Sequence, residues 1–210
     1  MVKQARARAT RDAIIDGAAA VFERHGYGLA SIADIATAAA VTKGALYFHF
    51  PSKDDIAQAV IAEQHARSFA AGAEVLQQGL PALESMVRLC AGLAHQLVTD
   101  PVVQAGIRLT TEVSNFERPV ADPYKDWLRT FEDLTRRAID EGDVSPTVAP
   151  EMLAHFIIPA YTGVQLVSET LTDRSDLLRR VREMWEILLP GIVPPARLDE
   201  RRSLLTVIGD

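Results

Sequence analysis

One stretch of this 210-residue chain gathers side chains suited to holding a polyanion. It runs Ser31-Ile-Ala-Asp-Ile-Ala-Thr-Ala-Ala-Ala-Val-Thr-Lys-Gly-Ala-Leu-Tyr-Phe-His-Phe50, with Ser52-Lys53 just after. Lys43 offers an ammonium that reaches guanine O6 and N7 or a phosphate oxygen. Ser31, Tyr47, His49 and Lys53 add hydroxyl, imidazole and ammonium groups of the kind that contact phosphates. Gly44 and Ala45 are small, so the backbone beside Lys43 can come close to a duplex. Upstream, Lys3, Arg6 and Arg8 read as an arm ahead of the first helix, able to follow the DNA backbone or enter the minor groove.

Those groups need two short helices to present them. Ser31 reads as an N-cap with Asp34 three residues on, in the manner of a capping box. Thr42 reads as the cap of a second helix running from Lys43 to about His49. Ile32, Ile35, Ala36, Val41 and Leu46 supply a small core to fix their crossing. Two short helices joined by a tight turn are the geometry that lets the second enter a major groove. Ahead of them, Ile14, Ile15, Ala18, Val21 and Phe22 form one helical stripe over 10–25, stopped at Gly26.

The remainder is also patterned as helices. Ser52 with Asp55 opens a long helix toward the seventies, and Leu83 to Leu97 form a stripe ended by Asp100-Pro101. A helix over 101–113 follows, then a polar loop holding Pro119 and Pro123. Trp127, Phe131, Leu134 and Ala138 share one face of a helix that stops at Gly142. Two long helices cover 149–171 and 174–189, with Pro190 and Pro194-Pro195 closing the pattern. The expectation is an all-α chain of about nine or ten helices. A helix-turn-helix DNA-binding domain occupies 1–53, and a ligand-binding and dimerisation domain occupies 54–210.

Charge divides along the same line. Residues 1–53 carry seven Lys/Arg against four Asp/Glu, while 54–210 carry 15 against 24. A small basic module on an acidic body fits polyanion binding, although an unevenly charged solvated surface accounts for the same numbers. No apolar run reaches the roughly 18 residues of a membrane span, and no signal peptide opens the chain. With Cys90 the only cysteine, neither an internal disulfide nor a cysteine metal cluster is expected. His25, His49, His65, His95 and His155 show no metal-ligand spacing, and no catalytic constellation stands out. The chain reads as cytoplasmic, not an enzyme, and without cofactor or metal.

Segments Phe22-Glu-Arg-His-Gly-Tyr27, Ile32-Ala-Asp-Ile-Ala36 and Val41-Thr-Lys-Gly-Ala-Leu-Tyr-Phe-His-Phe-Pro-Ser-Lys53 resemble the DNA-binding domain of the TetR family. That resemblance implies a three-helix DNA-binding module, a helical regulatory body and a homodimer formed through the last two long helices. Ala105-Gly-Ile-Arg-Leu109, Trp127, Gly163-Val-Gln-Leu-Val167 and Met184-Trp-Glu-Ile-Leu-Leu-Pro190 are similar to pieces of the γ-butyrolactone autoregulator receptors. Membership there implies a repressor of antibiotic-biosynthesis or regulatory genes, released from a pseudo-palindromic operator by a small diffusible signal.

Periodicity alone reads Trp127 as core, whereas the receptor resemblance implies a pocket tryptophan in that helix. An indole supplies a broad apolar wall and one N–H donor. Gln64 and Thr162 are candidates for the few polar groups such a pocket needs, and Leu109, Val113 and Phe131 for its apolar lining. Ordinary core or surface positions explain each of these equally well. Two other functions compete: a repressor of an efflux gene that senses drugs, and an all-helical enzyme. The 6% aromatic content leans against the roomy aromatic pocket of a drug sensor.

Overall fold

The computed structural model describes residues 2–112 and 121–209. Among them are ten α-helices and no strand: α1 Val2–Leu29, α2 Ile32–Ala38, α3 Lys43–His49, α4 Lys53–Gln77, α5 Ala82–Thr99, α6 Pro101–Thr111, α7 Asp122–Asp140, α8 Pro150–Thr172, α9 Leu177–Ile192 and α10 Leu198–Arg202. Among the described residues no helix is long and apolar enough to cross a membrane.

Local chemistry explains most of the boundaries. The Ser31 hydroxyl oxygen accepts from the Asp34 N–H and donates to the Asp34 carboxylate, which starts α2. Thr42 accepts from the Ala45 N–H to start α3, and Ser52 accepts from the Asp55 N–H to start α4. Asp100 caps α6 through the Val102 N–H at 2.8 Å. The stop expected at Gly26 is a break inside α1, where Gly26 adopts φ 70° and ψ 171° and helical turns resume as far as Leu29. An L side chain is strained at that φ, so glycine is the residue that fits.

Two expectations need correction. The basic arm is not a separate strand of coil: helix α1 begins at Val2, so Arg6 and Arg8 are exposed on its first turns. Nothing between Val2 and Thr10 breaks a helix, and its alanines and arginines favour one. Pro190 does not end α9, which continues to Ile192. A proline in the last turn forfeits one intrahelical hydrogen bond and has a φ compatible with the helix, so the turn survives it.

Of the described residues, those in 1–69 and 99–120 form one compact unit, and those in 70–98 and 121–210 form another. The first unit packs Ile14, Ala18 and Phe22 of α1, Ile35 of α2, Leu46 of α3, Ile56 and Val60 of α4, and Val102, Ala105 and Leu109 of α6 into one core. Helix α6 therefore belongs with the helix-turn-helix despite its distance in sequence. The second unit buries Leu83, Met86 and Leu97 of α5, Phe131 and Leu134 of α7, Ile157 and Tyr161 of α8, and Val181, Trp185 and Leu189 of α9. Its last segment, unforeseen from periodicity, is fastened by Asp143, which is 1% exposed and pairs with Arg197 at 2.6 Å and Arg201 at 2.7 Å.

Candidate nucleic-acid interface and ligand residues

Helix α3 is short, and its two faces divide cleanly. Leu46 is fully buried and Phe50 follows one turn later in the same core. Lys43, Gly44 and Tyr47 share the neighbouring, exposed side of the helix, with Tyr47 52% exposed. The two helices are held close: a Cβ on Gly17 of α1 would sit 2.6 Å from the Ala39 backbone nitrogen, so only glycine permits that crossing. Ala40 turns the chain between α2 and α3 with φ 53°. Ser31 and Thr42 are exposed while also serving as caps of α2 and α3.

Phe48 was not singled out by the sequence reading. It is 82% exposed on α3, edge-on to His49 with ring centroids 5.2 Å apart. The signal was available: Leu46 and Phe50 are one turn apart on the core face, which leaves Phe48 pointing elsewhere. An exposed ring on such a helix can meet a thymine methyl group.

Lys53 is placed differently from the other cations. Its Nζ donates to the Tyr27 carbonyl at 2.9 Å and the Ala30 carbonyl at 3.1 Å, and lies 4.3 Å from the centre of the Tyr27 ring. Two of its three N–H donors thus close the C-terminal end of α1. Tyr27 is held from several sides. Its hydroxyl donates to Asp54, and its backbone N–H donates to Glu112 at 3.0 Å. Burial, then the hydrogen bond and charge of Asp54, push its phenol up to about 12. Arg108 of α6 donates to the Glu23 carbonyl and pairs with Glu112, so α6 grips the segment around Gly26.

The ligand candidates fall into both units. In the first, Gln64 is 2% exposed; its Nε2 donates to Ser68 at 3.1 Å, and its Oε1 has no hydrogen-bond partner. Helix α6 passes so near that a Cβ on Gly106 would meet Gln64 Cβ at 2.3 Å. Leu109 is fully buried in the core shared with α1 to α4. In the second unit Trp127 is half-buried, its six-membered ring packing with Leu89 over Gly72, and Phe131 lies buried one turn on. The Thr162 hydroxyl donates to the Ile158 carbonyl within its own helix. Val113 lies outside the described residues.

Helices α8 and α9 also carry an exposed apolar face. Phe156 is 54% exposed, Met152 63%, Leu171 67% and Ile187 81%. A groove of about 550 Å³ between the two helices is lined by Phe156, Val164, Val167, Met184, Ile187 and Leu188, among others. A contiguous patch of this kind marks an interaction surface.

Comparison with known proteins gives consistent matches across the chain. Residues 14–60 match the family model for bacterial regulatory proteins of the tetR family, and 80–194 match that for the tetracyclin repressor-like C-terminal domain. The A-factor receptor protein of Streptomyces griseus is 40% identical over 195 residues, covering 93% of this chain and 68% of that one. A solved γ-butyrolactone receptor, described as ArpA-like, superposes with a TM-score of 0.82 at 33% identity over 97% of this chain and 98% of its own. The TetR-family protein CprB of Streptomyces coelicolor, solved with its operator sequence, gives a TM-score of 0.80 at 33% identity, with 96% of each chain covered. Both family models and a relative of this identity place the chain in the tetR family of bacterial regulatory proteins.

Proposed function

We propose that this protein is a homodimeric, cytoplasmic transcriptional repressor, released from its operator by a small γ-butyrolactone-like or furan-like signal. Its regulated genes are those of antibiotic biosynthesis or its control. The observation that carries the DNA-binding half is the exposed Lys43, Gly44 and Tyr47 face of α3, on a helix capped by Thr42 and preceded by α2, which packs closely on α1 at Gly17. Lys43 reads a base edge. Ser31, Thr42, Tyr47 and His49 contact phosphates, and Arg6 and Arg8 extend that contact along α1. Ala45 and Gly44 keep the backbone close to the groove.

The apolar face of α8 and α9 packs against a second copy of the chain. A two-fold pair presents two α3 helices to half-sites about 34–36 Å apart, one turn of DNA, or a multiple of that spacing. Trp127, Phe131 and Thr162 in the second unit contact the ligand; Gln64 and Leu109, in the first unit, are separate candidates. Release requires the ligand to bind the two conformations unequally, typically by about 1–3 kcal/mol of coupling.

The test uses purified protein and an operator fragment selected from random DNA by the protein itself. Expected are a dimer in solution, a two-fold footprint, and dissociation on adding a γ-butyrolactone. A monomer with a single half-site footprint defeats the dimeric reading. Release by diverse efflux substrates but by no lactone reassigns the protein as a drug sensor.

A further inference from the structure

The interior of the second unit gathers polar atoms that its own side chains do not satisfy. Tyr161 and Gln165 stand one turn apart on α8, 7% and 2% exposed, which places their side chains side by side. Neither the Tyr161 hydroxyl nor Gln165 Oε1 has a hydrogen-bond partner. Burial, and to a lesser degree the nearby Cys90 of α5, hold the Tyr161 phenol protonated. The indole N–H of Trp185, on α9 and fully buried, faces the Cys90 sulfur, a weak acceptor, without forming a well-aligned bond. Burial pushes the Cys90 thiol up to about 12, so the thiol stays neutral and offers no charge to compensate.

Helices α8 and α9 thus bring together, around Cys90 of α5, a hydroxyl that can donate or accept, an amide oxygen that accepts and an indole that donates. Unpaired buried groups are costly, and native interiors rarely keep several together without a guest. A ligand that pairs with them has complementary chemistry: a carbonyl oxygen to accept from Tyr161 or Trp185, and a hydroxyl to donate to Gln165. Leu89, the neighbour of Cys90 on α5, packs over Gly72 with the Trp127 ring, so this turn of α5 also adjoins the proposed apolar wall.

The geometry points to Tyr161, Gln165 and the Trp185 N–H as a polar subsite that holds the hydrogen-bonding end of the signal, a hydroxylated lactone. This rests on the ligand-responsive reading above. Trp127 supplies apolar contact, and the subsite decides whether a lactone of similar size but without the hydroxyl is accepted.

The experiment uses the full chain and two probes: a γ-butyrolactone bearing a free hydroxyl, and its O-methyl ether. Two tryptophans give two indole N–H resonances, assigned through Trp127→Phe. The hydroxyl compound is expected to shift the Trp185 resonance. In release from operator DNA, Gln165→Met should cost that compound roughly ten-fold in potency while the methyl ether is unaffected. Tyr161→Phe should weaken both. Each substitution removes an unpaired buried atom, so thermal stability and ligand-free operator binding should be retained or improved. Parent-like potency in both variants overturns the subsite, as does a Trp127 resonance that moves while Trp185 stays still. In either case the ligand-responsive reading survives. If neither indole responds and neither compound releases DNA, that reading fails and the subsite falls with it.

Discussion

Replacing Lys53 by methionine separates two jobs its ammonium could do. Methionine keeps the length of the stem and removes the charge and the donors. In the structure that ammonium bonds the Tyr27 and Ala30 carbonyls and sits over the Tyr27 ring. A hydrogen bond from a charged group is worth about 1.5–3 kcal/mol; with two sharing one half-buried ammonium, a loss of about 2–4 kcal/mol is expected. For a chain of this size that is a fall in melting temperature of roughly 4–16 °C. A phosphate contact has a different signature. Each one contributes about −0.9 to the slope of log K against log salt, so losing Lys53 from both subunits of a dimer would make it shallower by about 1.8. Thermal melts and operator titrations at several salt concentrations measure both quantities. The expected result is a destabilised protein whose salt slope matches the parent. Unchanged stability with a slope shallower by about 1.8 would refute the inward assignment and return Lys53 to the DNA surface.

Four further outcomes follow from the same geometry. Lys43→Ala should weaken operator binding by about 1–3 kcal/mol and random-DNA binding much less; equal losses would mean that it touches phosphate alone. Gly17→Ala would force a methyl to 2.6 Å from the Ala39 nitrogen, an overpacking that costs about 1–3 kcal/mol or more, visible in urea melts and operator binding. A parent-like melt would show that α1 and α2 cross less closely. The Tyr27 phenol, raised from 10.0 to about 12, favours the protonated folded state. Its stabilising contribution is complete below pH 10 and is lost as pH rises toward 12. The tyrosinate absorbance titration of the parent minus that of Tyr27→Phe should step near 12, and a step at 10 would contradict the burial. Trp127→Ala should fold and bind operator yet resist release by lactone; a parent-like response would make Trp127 a core residue.

The sequence alone was sufficient wherever a feature depends on neighbours a few residues apart. The caps at Ser31, Thr42 and Ser52 each involve a donor three residues on, and the stripes of α5, α7 and α9 recur at the helical period. The break at Gly26 is local as well. So the all-helical class, the helix-turn-helix and the exposed position of Lys43 were all legible before any coordinates. The inward turn of Lys53 was not, because its acceptors lie 26 and 23 residues away and become neighbours only when α1 and α4 pack. The same holds for α6, whose side chains Val102, Ala105 and Leu109 complete the core shared with α1 to α4. It holds equally for Asp143, matched to Arg197 and Arg201 only by folding, and for the polar group around Cys90, drawn from three separate helices. Hydrogen bonding within a turn is written in adjacent residues. Which carbonyl a distant ammonium finds, and which buried atom finds nothing, is decided by how helices pack in three dimensions.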